Sequence, residues 1–289
     1  MKNYNPIITE FNKLKIIQIK NLVQIASKCR DKKINVLQDK KTKVILNEKF
    51  ITNENHYKND RKFSKAELQK YLNLGNEDEK RRKIFFSKYF KNKNVLDFGC
   101  EFGTFLNKID CLTKSGVELN TECIKYIKKK YKKIDINHNL ESLVKKNFDT
   151  VTMFHVLEHM PYQVKILKEL KKKLKKKGNL IIEIPSANDL LLSLDDLKSF
   201  KSFTFWSEHL ILHTHNSLTK VLRAAGFKKI KIIHCQRYNF NNHIGWFLKN
   251  KPGGHRLFKN FADQIILEEY RRFLIRRKKT DTLIAVASN

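Results

Sequence analysis

Apolar positions along the chain fall into two periods, and the switch between them divides it. From residue 79 to 236, short apolar runs alternate with segments whose apolar residues recur every three or four positions. The runs predict strands at Asn94–Phe98, Ser115–Leu119, Ile134–Asn137, Asp149–Phe154, Asn179–Ile184 and Lys229–Cys235. The helical periods predict helices at Phe105–Cys111, Thr121–Lys133, Tyr162–Lys177 and Asn216–Ala225. Gly178 follows the third of these, where a helix C′ glycine belongs, and Pro185 stops the next strand. Strands alternating with helices predict a parallel, doubly wound α/β sheet.

The flanks read differently. Residues 1–78 are irregular and polar, and are expected to form a small N-terminal appendage or lid. One signal stands out there: Ile34–Gln38 and Lys43–Asn47 flank Asp39-Lys40-Lys41-Thr42, a β-hairpin pattern. Residues 237–280 interrupt the alternation before a last strand at Thr282–Ala287. The Ile-rich stretch Ile7–Ile25 contains Glu10, Lys13, Lys15 and Lys20, so it does not read as a spanning helix, and no secretory signal is seen.

Charge adds a second reading. Sixty Lys+Arg against 29 Asp+Glu give the 289-residue chain a net charge of +31. That balance invites a nucleic-acid partner. Lys far outnumbers Arg, however, and its runs at 171–173 and 175–177 fit the solvated face of a helix. Nucleic acid is therefore the disfavoured partner. The five cysteines form no CxxC pair, which argues against a zinc site or a disulfide framework and for a reducing cytoplasm.

Candidate chemistry gathers at strand ends. Val95-Leu96-Asp97-Phe98-Gly99-Cys100-Glu101-Phe102-Gly103 is a strand running into a glycine-bearing turn. Glycines there let a backbone approach a ligand closely. Glu118 ends the next strand, at the interval where an acidic residue holds a ribose diol. The Gly99-x-x-x-Gly103 spacing is not the GxGxxG of a dinucleotide-binding fingerprint, which disfavours a pyrophosphate ligand and favours an adenosine ligand without phosphates.

These segments resemble the class I S-adenosylmethionine-dependent methyltransferases. The matching stretches, in the family's order, are VLDFGCEFGTFL at 95–106, GVELN at 116–120, Asn139-Leu140, FDTVTMFHVLEHM at 148–160, KKGNLIIEIPS at 176–186, EHLILHTHNSL at 208–218 and AAGF at 224–227. The resemblance covers residues 79–289 and implies a Rossmann-like seven-stranded sheet with an antiparallel last strand. It also implies that 237–280 is an insertion that helps build the acceptor pocket. A bacterial subgroup, often encoded among surface-polysaccharide genes, carries a similar insertion, here Arg237-Tyr238, Asn242-His243, Trp246 and Lys251-Pro252-Gly253-Gly254-His255.

By that resemblance, Asp97, Phe98, Gly99 and Gly103 lie at the methionine end of S-adenosylmethionine, and Glu118 holds the ribose. Leu119 and Leu140 pack on the adenine, Asn139 faces its amino group, and Phe154 and His155 lie beside the sulfonium. Glu101 stands where the family usually has glycine. Its side chain either crowds the cofactor's carboxylate end, which would suit a non-catalytic binding protein, or points to solvent. His155 and His159 are the candidate bases, with His209 next; His213 and His215 extend that second cluster. The competing role for Glu158 and His159 is to hold loop backbone. A His/Glu cluster of this kind can also take a divalent ion, but no metal is assigned. Trp206, Phe203 and Phe205 are pocket or core aromatics. Asp78, Arg81 and Arg82 read first as a solvated helix face, and second as a site for an anionic acceptor.

The expected activity is methyl transfer to oxygen or nitrogen of a sugar, nucleotide sugar or glycan precursor. An RNA acceptor is the alternative. His155-Val156-Leu157-Glu158 stands where base-amino methyltransferases carry an acidic or Asn residue, two prolines and an aromatic, and no Pro-Cys nucleophile exists.

Overall fold

The computed structural model describes residues 4–51, 68–69, 72–73, 75–143 and 147–289. Three strands form in the N-terminal part: β1 (Leu22–Ala26), β2 (Val36–Asp39) and β3 (Ile45–Asn47). Then come β4 (Asn94–Phe98), β5 (Thr113–Val117), β6 (Ile134–Asn137), β7 (Phe148–Phe154) and β8 (Leu174–Pro185). The chain ends through β9 (Ile211–Leu212), β10 (Lys229–Cys235) and β11 (Thr282–Ser288).

Seven strands form one sheet in the order β10-β11-β8-β7-β4-β5-β6. β11 runs antiparallel to both its neighbours, and the pairs among β4 to β8 are parallel. The expected Rossmann-like α/β sheet with its antiparallel last strand is thus present. Strand order reverses beside β4, whose neighbours are β5 and β7. Ligands of such sheets bind in the crevice that this reversal opens at the carboxyl ends of the strands.

Four strands form a second sheet, β1-β2-β3-β9, which contains the expected hairpin. β9 lies far along the chain, so it ties the N-terminal segment to the rest. Asn5 reinforces that seam. Its side-chain amide donates to the carbonyls of Asn47 (2.9 Å) and Leu210 (2.8 Å), while its oxygen caps the helix Pro6–Lys13 at Ile7 N. Ile7, Phe11, Ile16 and Ile17 are fully buried and share a core with Leu96, Val151 and Ile182 of the large sheet. The sequence reading missed this helix, because its apolar residues are interleaved with Glu10 and Lys13.

The helices Thr104–Lys108, Thr121–Lys130 and Gln163–Lys173 end earlier than expected, and the last gives way to a strand. The helix Gln163–Lys173 stops at Leu174, which adopts extended geometry and begins β8. Leu174 is buried opposite Phe148, and Lys175 Nζ meets both oxygens of Asp149 at 2.9 Å. Gly178 is therefore not a helix cap. A Cβ there would lie 2.9 Å from the carbonyl oxygen of Phe148, so close backbone approach explains the glycine.

Between β10 and β11 run the helices Phe240–Lys249, Gly254–Leu257 and Gln264–Arg276. Gly245 and Gly254 let the first two touch backbone to backbone: a Cβ on Gly245 would lie 2.4 Å from Gly254 Cα. The glycine-rich segment thus has a packing role, as do buried His243 and Trp246.

Candidate active site

The carboxyl ends of β4, β5, β7 and β8 bring most of the predicted residues to one edge. After β4, the turn needs left-handed backbone. Gly99 and Gly103 have φ of +77° and +66°. Gly99 is also hemmed in, since a Cβ would lie 2.4 Å from Val156 Cγ2. Glu101 sits between them with φ +46°, and its side chain is exposed. Its backbone N–H donates to Glu118 Oε2 at 2.9 Å. The left-handed conformation accounts for the glycine usual at this position.

Asp97 is buried at the end of β4 and accepts from Thr152 Oγ1 at 2.7 Å. Burial pushes its carboxyl up to about 7, against the Thr152 hydrogen bond and the charge of Arg82. Glu118 follows β5. Its second oxygen accepts Asn120 N at 2.8 Å, and burial raises its pKa as well. Two carboxylates at adjacent strand ends, beside a turn of left-handed residues, suit a ligand with an ammonium group and a ribose diol. That donor set fits S-adenosylmethionine.

Farther along the same edge, Phe98 and Leu119 are half-buried and Leu140 is in the core. Asn139 is exposed, and its side-chain oxygen accepts Ser142 N at 2.7 Å. That oxygen therefore already holds a turn. Phe154 packs edge-on against Phe105 (5.0 Å between centroids), with the Arg82 guanidinium 4.6 Å from its ring centre.

His155 has φ +55°, an uncommon conformation for a non-glycine residue just after a strand. Its Nδ1 lies 3.2 Å from Glu158 Oε1, and its Nε2 lies 2.9 Å from Arg237 Nη1 and 3.4 Å from Glu183 Oε1. Arginine only donates, so its contact with Nε2 selects the tautomer with Nδ1–H directed at Glu158. Burial and Arg237 favour the neutral ring, but Glu158 and Glu183 outweigh them and raise its pKa.

The centre of this edge is an ion network that the sequence reading did not anticipate. Glu183 is fully buried on β8. It accepts from Arg81 Nη2 at 2.7 and 2.9 Å, and from Arg82 Nη2 at 2.8 Å. Burial would raise its pKa, yet Arg82, His155 and Arg81 hold it well below the usual range. Asp78 pairs with Arg81 and Arg237. Arg81 and Arg82 are thus not a solvated face; they turn inward because Glu183 needs counter-charge. The available signal was a lone carboxylate inside the apolar run Leu180–Ile184, since a buried charge requires a partner.

The histidines separate. His209 joins His159, their rings 5.0 Å apart, with Trp206 packed edge-on against both. His213 is fully buried between Gln163 (2.9 Å) and Ser217 (3.0 Å), and burial drives its pKa down to about 3. His215 stacks on His234 instead. Phe205 is core, and Phe203 is exposed near Trp246. Beyond Arg237 opens a cleft of about 200 Å³, lined by Arg237, Tyr238, Gln264, Glu268, Tyr270 and Arg271.

Asp97 at the end of β4 and Glu101 in the turn after it each carry a stability prediction. Between about pH 4 and 7, Asp97 is protonated when folded and ionised when unfolded, so its contribution to stability falls as pH rises. Asp97→Asn should stabilise the ligand-free protein, with a gain at pH 8 exceeding that at pH 5 by roughly 2 kcal/mol. Thermal melts at both pH values check this, and an equal gain at both contradicts it. Glu101→Gly should add about 0.5–1 kcal/mol in urea denaturation by relieving the left-handed backbone, whereas unchanged or lower stability would remove that account.

Residues 68–232 match the family described as a methyltransferase domain. An uncharacterized protein of Methanocaldococcus jannaschii is 34% identical over 119 residues, 40% of this chain and 52% of its own. The chain therefore spans about half the length of that curated relative. The crystal structure of an S-adenosylmethionine-dependent methyltransferase from Archaeoglobus fulgidus is similar, with a TM-score of 0.50 and 21% identity, over 74% of this chain and 94% of the other. A Haemonchus contortus phosphoethanolamine N-methyltransferase structure shares the fold at a TM-score of 0.53 and 13% identity, over 84% and 63% of the two chains. With more than half of its length matched by that family, the chain belongs to the methyltransferase-domain family.

Proposed function

We propose that the protein methylates an oxygen or nitrogen of a small polar acceptor, a sugar, nucleotide sugar or glycan precursor. One observation carries this reading: Arg237 both lines the cleft beyond β10 and touches His155 Nε2. Arg237 thus links the cleft wall to the nitrogen that this reading assigns to receive a proton. Its volume of about 200 Å³ suits a single sugar-sized group. Tyr238 and Tyr270 offer ring faces, Arg237 and Arg271 offer positive charge, and Gln264 and Glu268 offer hydrogen bonds to hydroxyls.

Bound S-adenosylmethionine supplies a methyl group activated by a positive sulfur. In this reading Asp97 faces its ammonium group, Glu118 its ribose, and Leu119, Leu140 and Asn139 its adenine side. Gly99 and Gly103 shape the loop beside its methionine end. Phe154 and His155 border the reacting centre. Glu158 orients the His155 ring, which leaves Nε2 to accept the acceptor's proton. The acceptor's hydroxyl then competes with Arg237 for that nitrogen. His159 and His209 stand one layer behind.

The net charge of +31 favours RNA as a second reading. Against it stand the cleft's small volume and Glu268 in its wall. A methyl-transfer assay against nucleotide sugars, glycan intermediates and total RNA, read by mass spectrometry, separates the two. A methylated small molecule is expected, and methylation confined to RNA would overturn the acceptor assignment. With the identified acceptor, His155→Ala should lower kcat by about a hundredfold or more while cofactor affinity changes little. Retained turnover would reject His155 as the base.

A further inference from the structure

Behind His155, the turn after β7 meets the loop before β9. Glu158, His159 and His209 each direct one potential ligand atom to a common point, with all three atoms within 4.8 Å of one another. Glu158 is fully buried. Its Oε1 faces His155 Nδ1 at 3.2 Å, while Oε2 is buried with no hydrogen-bond partner. His209 Nδ1 is likewise buried without a partner. A buried carboxylate oxygen with no donor is an expensive arrangement, and it lies in the same cluster as an imidazole nitrogen with none.

The backbone holds these residues in place. His159 N donates to Val156 O at 3.0 Å, His209 N to Trp206 O at 3.0 Å, and Leu210 N to Glu158 O at 2.9 Å. Trp206 walls the cluster through edge contacts with both rings. A backbone hydrogen bond at Glu208 orients the His159 ring, the kind of outer contact that fixes a metal-ligating imidazole. The nearby Arg30, stacked on Trp206 at 4.5 Å, opposes a positive ion on the His209 side, and Glu208 offsets it on the His159 side.

We propose that Glu158, His159 and His209 form a binding site for one divalent first-row transition ion, such as Mn²⁺, Co²⁺ or Zn²⁺. Two imidazoles and one carboxylate are the donor set such ions take, and they leave coordination positions open. Ligand atoms bound at about 2.1 Å to one ion lie roughly 3–4 Å apart, so the three side chains need to close by only about 1 Å. Glu158 would then serve two partners, His155 through Oε1 and the ion through Oε2. The base candidate and the ion would share one carboxylate. The site does not depend on which acceptor the enzyme uses.

The test is a Co²⁺ titration of the full chain without cofactor or acceptor, followed by visible d–d absorption. One ion per chain is expected. Glu158→Gln and His209→Ala should each weaken binding at least about tenfold, with folding checked by circular dichroism. His215→Ala, which removes the separate His215–His234 pair, should leave the spectrum unchanged. No uptake by the wild type, uptake unaffected by both Glu158→Gln and His209→Ala, or loss only in His215→Ala would each overturn the proposal.

Discussion

The carboxylate of Glu183 is the constraint around which the reactive edge is arranged. It has no exposed surface and sits near the end of β8, within the otherwise apolar run Leu180–Ile184. Left alone, such a charge would be strongly unfavourable there. Arg81 and Arg82 resolve it, and in doing so they pull the helix Asn76–Phe85 across the strand ends. Arg82 then covers Phe154 and lends positive potential to Asp97. Asp78, on the same helix, draws in Arg237 from the segment after β10. His155 closes the set, since its backbone N–H donates to the Glu183 carbonyl at 2.8 Å and its ring meets both Arg237 and Glu158. Three distant segments are thus positioned by one buried charge.

The proposed function assigns two tasks to this one sheet edge. Asp97, Glu118 and the turn between them form the half suited to a cationic adenosine ligand. His155, Arg237 and the cleft beyond form the half suited to an acceptor. The ion network lies between the two halves. Glu101 borders the first half through its backbone N–H on Glu118 and through its charge, and its side chain is exposed. Its charge nevertheless adds to the raised pKa values of Asp97 and Glu118.

The sheet was legible in the sequence because its strands are short apolar runs with helices between them. Asn94–Phe98, Ile134–Asn137 and Lys229–Cys235 agree residue for residue. The glycines and acids after β4 and β5 were legible for a related reason: their chemistry depends on local backbone. Long-range demands were hidden. The burial of Leu174 ended a helix that lysine propensity would have continued. The pairing of β3 with β9 depends on residues far apart in the chain. Arg81 and Arg82 looked solvated because nothing nearby in sequence announces Glu183. The +31 charge, prominent at first reading, belongs largely to lysines on outer faces, whereas the charges that organise the site are the buried ones.

The central claim is that the strand ends of β4 and β5 hold the methyl donor, with Glu118 on its ribose. Calorimetric titration of S-adenosylmethionine into the wild type and Glu118→Ala tests it most directly. The account predicts one site per chain, weakened by at least about tenfold, or 1.4 kcal/mol, in the variant. No binding at millimolar ligand, or equal affinity in the two proteins, would contradict it.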